Sequence, residues 1–412
     1  MVRRHEFYIT LFAAAGIALV SHGYQGHDQL AIANPRVGMF GFGEHELALR
    51  FGVNVSVEYT DNRDSVPSDK DGNMDIFVRP YVAYHLDGVS TRLHLRYQPG
   101  LRYRSDPGDN QNDFDLNHRL TLGVTRTVTP RARVRLNNTF VKVEDPPIEE
   151  GGAILRAERG YMLNTLRTAF NYDIGHMSNL DLAARNQFRR FDDSEIARSL
   201  DRNNFGFDLE FRHGVSHTVI ALFSAAYDAY SLKRDEDRSR DFDSLTASAG
   251  MEYLFLPELI GSLTVGGQTH SYDDPELQTG DNLYVRAELS GNVGYKLRMG
   301  ITTGYGVRDA DIARHASQEY IEARGFANYD VTAKLTIRGA LTYRNSTYDA
   351  KPDLEWVGGD EDVIVIDAQI TYKINDMMSI YAGHRFEDVS ADEGLSASFT
   401  RNTMRLGMLL DF

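Results

Sequence analysis

Residues 398–412, at the end of the chain, read SFTRNTMRLGMLLDF. From Met404 onward every second residue is apolar, which gives one shared face to Met404, Leu406, Met408, Leu410 and Phe412. A period of two is the period of a β-strand, because successive side chains of a strand point to opposite sides. The segment therefore predicts a strand that has one apolar face and ends on Phe412.

The same alternation runs through the chain from residue 47 onward. In residues 91–104, TRLHLRYQPGLRYR, the apolar face alternates with a strongly basic one made of Arg92, His94, Arg96, Arg102 and Arg104. That second face is too charged for the core of a soluble β-sandwich, since paired sheets bury apolar side chains. The basic face must contact water, and the apolar face must contact something other than water.

About eighteen such segments can be counted, the first near 47–60 and the last near 398–412. Their connections alternate between short turns, such as Asp87-Gly88 and Asn375-Asp376, and long polar loops, such as residues 144–160. An even number of antiparallel strands with this asymmetry is typical of a closed transmembrane barrel with both termini in the periplasm. Sixteen strands would result if one hairpin were misread.

Aromatic residues mark both ends of the apolar face. Near the short turns we find Tyr84, Tyr172, Phe211, Tyr253, Tyr295, Tyr329, Tyr372 and Phe412, and near the long loops Tyr59, Tyr103, Phe140, Phe188, Tyr227, Tyr305, Tyr343 and Phe386. Aromatic belts of this kind lie at the two interfaces of a membrane. A secreted soluble β-protein is the alternative, but it gives no reason for two belts on one face.

Composition excludes several classes of function. The chain has 412 residues, a formal net charge of −15 and no cysteine. The acidic balance argues against nucleic acid as a partner, and the lack of cysteine excludes disulfide scaffolds and cysteine-ligated metals. The sequence contains no G-x-S-x-G, no H-E-x-x-H and no P-loop, so we predict no catalytic site, no cofactor and no metal site.

The first residues are typical of a secretory signal. Arg3 and Arg4 precede the apolar run YITLFAAAGIALV of residues 8–20, which is short for a membrane helix. We expect a signal peptide over residues 1–23, with cleavage as late as residue 33 left open, a short periplasmic segment over 24–46 and the barrel over 47–412. A membrane anchor or a buried helix is the alternative for the first segment.

The chain resembles bacterial outer-membrane β-barrels, and more loosely the beta-barrel porin 2-like proteins. The terminal strand carries the resemblance most specifically: Leu406, Met408, Leu410 and Phe412 look like the signal by which the barrel assembly machinery recognises its substrates. The stretches IFVRPYVAYHLDG and DFDLNHRLTLGV support the narrower family. The resemblance implies a passive or selective pore in the outer membrane, and in some relatives a link to exopolysaccharide export.

The face opposite the apolar one should line the channel. Its predicted basic wall consists of Arg79, Arg92, Arg96, Arg102, Arg104, Arg119, Arg133, Arg135, Arg167, Arg185 and Arg189, and its more acidic facing wall of Asp208, Glu210, Glu252, Glu288, Glu322 and Asp367. Opposed charges would set up a field across the channel that favours polar solutes. Alternatively, these residues simply pair with one another on neighbouring strands.

The function expected from the sequence is an outer-membrane channel for small hydrophilic solutes. The alternative is a structural or exopolysaccharide-export-associated barrel without general porin activity. The expected partners are outer-membrane lipid and lipopolysaccharide, the assembly machinery, and small polar solutes or polysaccharide. Association into a homo-oligomer is left open.

Overall fold

The computed structural model describes residues 47–63, 65–68, 70–106, 113–143, 160–194, 197, 201–232, 241–274, 279–310, 315, 317–348, 358–395 and 398–412. The expected signal peptide and periplasmic segment lie outside these residues, as does nearly all of the predicted loop 144–160. Within the described part of the chain, no helix is both long enough and apolar enough to cross a membrane.

The described residues form eighteen strands. These are β1 (Leu47–Thr60), β2 (Asn73–Asp87), β3 (Thr91–Arg104), β4 (Phe114–Thr129), β5 (Ala132–Val143), β6 (Tyr161–Asp173), β7 (Ser178–Phe191), β8 (Arg202–Gly214), β9 (Val219–Leu232), β10 (Phe242–Leu256), β11 (Leu259–Tyr272), β12 (Gly280–Val293), β13 (Leu297–Asp309), β14 (Ser317–Asp330), β15 (Leu335–Tyr348), β16 (Gly359–Lys373), β17 (Met378–Ala391) and β18 (Phe399–Asp411).

Each strand pairs antiparallel with its neighbours in the sequence, and β1 pairs with β18, so the sheet closes on itself. The closing contact extends to the last residue, because the Phe412 amide donates to the Phe51 carbonyl at 2.8 Å. The two rings also stack, with centroids 6.5 Å apart. Closure leaves no strand edge unpaired. The predicted all-β antiparallel barrel of eighteen strands is confirmed.

The two ends of the barrel differ. Even-numbered strands lead into odd-numbered ones through short turns, and we call that end the turn rim. Odd-numbered strands lead into even-numbered ones through longer connections, and we call that end the loop rim. The alternation predicted from the sequence is therefore present in the fold.

The barrel exposes apolar side chains on its outside and buries polar ones inside. Leu263, Ile370 and Leu406 are exposed on outward-facing positions, whereas Arg102 and Glu361 are buried. A soluble protein shows the opposite distribution, and a membrane barrel requires this one. Outward-facing aromatic side chains are exposed near both rims, for example Tyr59, Tyr103 and Phe114 at the loop rim and Tyr253, Tyr329, Tyr372 and Phe412 at the turn rim.

Large side chains inside the closing seam pack over glycine. A Cβ atom at Gly52 would lie 2.6 Å from the ring of Tyr81, its partner in the register, so that only glycine lets the ring lie flat. Nearby, the Tyr381 hydroxyl donates to Asn54 Oδ1 at 2.9 Å and so links β17 to β1 across β18. These contacts fill the interior beside the seam and fix its register.

Candidate functional site

The candidate site is the inner surface of the barrel, which receives every second side chain of each strand. The strand register places all residues that the sequence predicted to line the channel on inward-facing positions: Arg79, Arg92, Arg96, Arg102, Arg119, Arg133, Arg135, Arg167, Arg185, Arg189, Asp208, Glu210, Glu252, Glu288 and Glu322. Arg104 and Asp367 also face inward. Their role as a solute path stays a prediction.

The inward positions of β2–β7, which we call the arginine sector, carry more arginine than carboxylate. Beside the predicted arginines, the carboxylates of this sector are Asp75, Asp87, Asp115, Asp173 and Asp181. Each of these carboxylates lies within ion-pair distance of an arginine of the sector. The carboxylates are outnumbered, so the sector keeps a net positive charge.

Several arginines of the sector are held by aromatic rings or lie near other arginines. The Arg96 guanidinium lies 3.9 Å above the Tyr81 ring centroid, which leaves its charge in place while covering one of its faces. Arg135 has no carboxylate oxygen within 4.0 Å among the described residues, and its Nη1 is buried without a hydrogen-bond partner there. The positive charge of Arg135 is therefore not neutralised by a direct ion pair with a described carboxylate.

Strands β8–β16 carry arginines and carboxylates in similar number. Arg212 pairs with Glu210 at 2.6 Å and Glu252 at 3.2 Å, and Glu322 pairs with Arg324 at 2.8 Å and Arg308 at 3.5 Å. Further pairs join Glu288 to Arg286 and Asp208 to Arg185 of β7. The structure thus differs from the expected acidic wall, since arginines on the same strand and on nearby strands pair with its carboxylates.

Near the loop rim the interior is tightly packed. Glu361 accepts a hydrogen bond from Arg344 at 3.3 Å and is 0% exposed, and Glu387 binds both Arg385 and Arg401 and is 1% exposed. An apolar cluster of Tyr161, Leu163, Phe191 and Ala197 lies at the same end, on β6, β7 and the segment between β7 and β8. The largest fully buried side chains among the described residues therefore lie near the loop rim.

Glu361 and Glu387 are absent from the lining residues predicted from the sequence. Both could have been predicted from the sequence, because they fall on the inward-facing positions of strands whose apolar face is clear. That face carries Ile364 and Ile366 on β16 and Phe386 on β17. Their partners were not predictable, since pairing depends on the register between strands.

Near the turn rim the interior is open. Arg92 and Asp87 lie 3.9 Å apart with side chains 78% and 82% exposed, and His85 Nδ1 lies 3.2 Å from His94 Nδ1. Within the described ranges, no group of three or more histidine, aspartate or glutamate side chains is arranged to hold a metal ion. The side chains at this end can therefore interact with a bound group through charge and hydrogen bonds.

The predicted assembly signal lies on the outside of β18. Leu406 and Met408 are paired with Val57 and Val55 of β1, and Leu410 with Val53, so the apolar face of the last strand continues into the first. Its role in assembly stays a prediction.

Comparison with known proteins gives one family match. Residues 48–412 match the family model described as "Putative beta-barrel porin 2". No curated protein matches the chain.

Solved structures are similar at low identity. The outer membrane protein opdK of Pseudomonas aeruginosa is 9% identical, with a TM-score of 0.47 over 89% of this chain and 99% of that one. The FrpB iron transporter of Neisseria meningitidis is 9% identical, with a TM-score of 0.48 over 89% and 83%. The siderophore receptor PirA of P. aeruginosa is 10% identical, with a TM-score of 0.46 over 90% and 81%.

Proposed function

We propose, from the premise that this chain belongs to the family described as "Putative beta-barrel porin 2", that it is a channel for small hydrophilic solutes with a preference for anions. The protein is an outer-membrane β-barrel of the porin type. The observation that carries the proposal is the arginine sector, a stretch of inner wall on which positive charge exceeds negative charge.

The preference for anions follows from the positive charge of the arginine sector and from the low dielectric constant of the membrane around the barrel. The wall of a membrane barrel separates the interior from hydrocarbon, and a water-filled passage through a medium of low dielectric constant strengthens the field of fixed charges. An anion that enters beside β2–β7 meets Arg133, Arg135 and Arg167 with two carboxylates, Asp173 and Asp181, on the neighbouring strands. A cation gains less there, so anions should be concentrated in the passage.

Processing and orientation form part of the proposal. We place the short turns and both chain ends in the periplasm, with residues 1–23 removed as a signal peptide, or a few more if cleavage is as late as residue 33, and 24–46 as a short segment before the barrel. The terminal strand, with Leu406, Met408, Leu410 and Phe412, would be read by the barrel assembly machinery. Sequencing the amino terminus of the protein purified from outer membranes tests the cleavage site.

A second candidate function has one observation in its favour. The charged residues near the loop rim are so deeply buried that Glu361 and Glu387 leave little space for water around them. A barrel filled at this level would not conduct, and it would act as a structural or exopolysaccharide-export-associated protein through its surface.

Single-channel recording in planar bilayers separates the two functions. The full chain, purified from outer membranes, should give discrete conductance steps if it is a channel. The absence of steps from protein that is shown to be folded by its heat-modifiable gel mobility would contradict the channel and favour the filled barrel. A variant carrying Glu361→Gln and Glu387→Gln then shows whether the loop rim limits conductance.

A further inference from the structure

Three asparagine side chains lie on the outside of the barrel at the level of the membrane. Asn138, Asn164 and Asn186 occupy outward-facing positions of β5, β6 and β7, as the register with Leu122, Phe140 and Leu166 requires. A primary amide in contact with hydrocarbon is costly unless its donors and acceptor are satisfied. We call this surface, from β4 to β7, the amide patch.

The depth of the amide patch is set by the order of outward-facing residues along each strand. Asn138 precedes the belt residue Phe140, and Asn186 precedes the belt residue Phe188, so each lies one outward position closer to the membrane centre than its aromatic neighbour. Asn164 is paired in the register with both Phe140 and Phe188, so it lies at the level of the belt itself. Asn138 and Asn186 are therefore inside the loop-rim belt, and Asn164, between them, lies at the level of the belt.

The barrel satisfies only part of the hydrogen-bonding capacity of these amides. Asn138 Nδ2 donates to Asn164 Oδ1 at 3.0 Å and to the Thr165 carbonyl at 3.3 Å. Asn186 Nδ2 donates to Asn203 Oδ1 at 3.1 Å. Within the described residues, Oδ1 of Asn138, Oδ1 of Asn186 and Nδ2 of Asn164 have no partner. The patch thus keeps both acceptors and donors unused.

A histidine extends the patch toward β4. His118 faces outward between Leu116 and Leu120, and its Nδ1 lies 2.8 Å from the hydroxyl of Tyr97 on β3. Its second ring nitrogen can still donate or accept a hydrogen bond, depending on the tautomer. The outward face therefore carries at least one polar side chain on each of β4–β7, with Lys142 beside His118 in the register and Asn203 following on β8.

The opposite side of the barrel has no such surface. On β9–β16 the described outward-facing residues between the two aromatic belts are alanine, glycine, valine, leucine, isoleucine, methionine, phenylalanine and threonine, without any amide or charged side chain. On β17, His384 also faces outward, but it stands alone on its strand and its Nε2 lies 3.3 Å from Asn402 Oδ1 of β18. A general tolerance for polar residues in contact with lipid would distribute them around the barrel. Their concentration on β4–β7 indicates a surface that lipid does not cover.

We infer that the amide patch is where a second copy of this chain docks, patch against patch, about a two-fold axis. A lipid acyl chain has no hydrogen-bonding group. The amide patch of a second copy, in contrast, has carbonyl oxygens and amide N–H groups that can bond to the unused donors and acceptors of the first. Amides are self-complementary, and a two-fold interface brings the same residues of both copies together. Hydrogen bonds between asparagines are a known source of association between membrane-spanning segments.

Native mass spectrometry of the purified full chain, released from a mild detergent, tests the inference. The wild-type protein should be a dimer, and the triple variant N138L/N164L/N186L should dissociate, with a dissociation constant raised by about a hundredfold or more. Leucine suits a position in contact with lipid, so the barrel should fold. The matched control is Asn345→Leu, which changes an outward-facing asparagine of β15 beyond Tyr343 and should leave the dimer intact. A monomeric wild type, or a dimer that survives the triple substitution, would overturn the inference.

Cysteine crosslinking gives a second test that does not depend on the folding of the triple variant. The chain contains no cysteine, so within this protein a single introduced thiol can pair only with the same thiol of a second copy. Leu166 lies between Asn138 and Asn186 in the register, and Leu166→Cys should form a disulfide-linked dimer on oxidation in the outer membrane. Leu341→Cys, on the outward face of β15, should not. Equal crosslinking of the two variants would contradict docking through the amide patch.

Discussion

Two aspartate–arginine pairs join β2 to β3, one buried and one exposed, and they allow the value of an interior ion pair to be measured. Asp75 accepts two hydrogen bonds from Arg102, at 2.8 and 2.5 Å, and the two side chains are 10% and 7% exposed. Asp87 and Arg92 lie 3.9 Å apart and are about four-fifths exposed. The perturbation is Asp75→Asn, with Asp87→Asn as the matched control.

The stability lost in each variant depends on how deeply the ion pair is buried. Removing one partner of a buried pair leaves an uncompensated charge and costs about 3–5 kcal/mol. We expect a loss near the lower end, about 3 kcal/mol, because the asparagine oxygen can keep the 2.7 Å hydrogen bond from Asn73 Nδ2. The exposed pair is screened by water, so Asp87→Asn should cost less than about 1 kcal/mol.

The assay is a reversible urea titration in phospholipid vesicles, with the folded fraction read from gel mobility without heating. A second substitution, Arg102→Met, in the Asp75→Asn background removes the orphaned charge and should recover a large part of the lost stability. Equal losses for Asp75→Asn and Asp87→Asn, or no recovery in the double variant, would refute the idea that the interior near the loop rim is shielded from water.

The remaining predictions concern selectivity, the lipid-facing surface and assembly. Arg133→Glu with Arg135→Glu should shift the reversal potential toward cations, whereas Arg126→Glu, on the outward face of β4, should not; an unchanged potential would remove these arginines from the path. Leu406→Arg, outward-facing and exposed, should lower the unfolding free energy by about 2–4 kcal/mol in the urea titration, and a neutral effect would contradict contact with lipid. Deletion of Phe412 should reduce the amount of folded protein in outer membranes, and normal amounts would exclude it from the assembly signal.

The sequence predicted the architecture well because period-two alternation is a local property. Each outward face, such as that of β18 from Met404 to Phe412, is visible without knowledge of any partner strand. The alternation of turns and loops then fixed the antiparallel order and the even strand number. What remained open was the closing pair, since the register between β1 and β18 joins residues more than 340 positions apart.

The electrostatics of the interior could not be predicted to the same extent. Arg102 faces Phe77 in the register yet pairs with Asp75, because a long side chain reaches diagonally to the next inward position. On β8–β16, pairs along one strand, such as Arg212 with Glu210, and pairs between strands, such as Arg308 with Glu322, give a balanced wall in place of the expected acidic one. The amide patch, by contrast, could have been recognised from the sequence, because the alternation of each strand places Asn138 and Asn186 among outward-facing residues that are otherwise mostly apolar.

We propose that the arginine sector lines a passage for small solutes. The most direct measurement is the reversal potential of single channels formed by the purified full chain in a planar bilayer under a gradient of potassium chloride. A charged passage of this kind predicts discrete conductance steps whose reversal potential has the sign of chloride selectivity. A folded protein that gives no steps, or a reversal potential of the opposite sign, would contradict it.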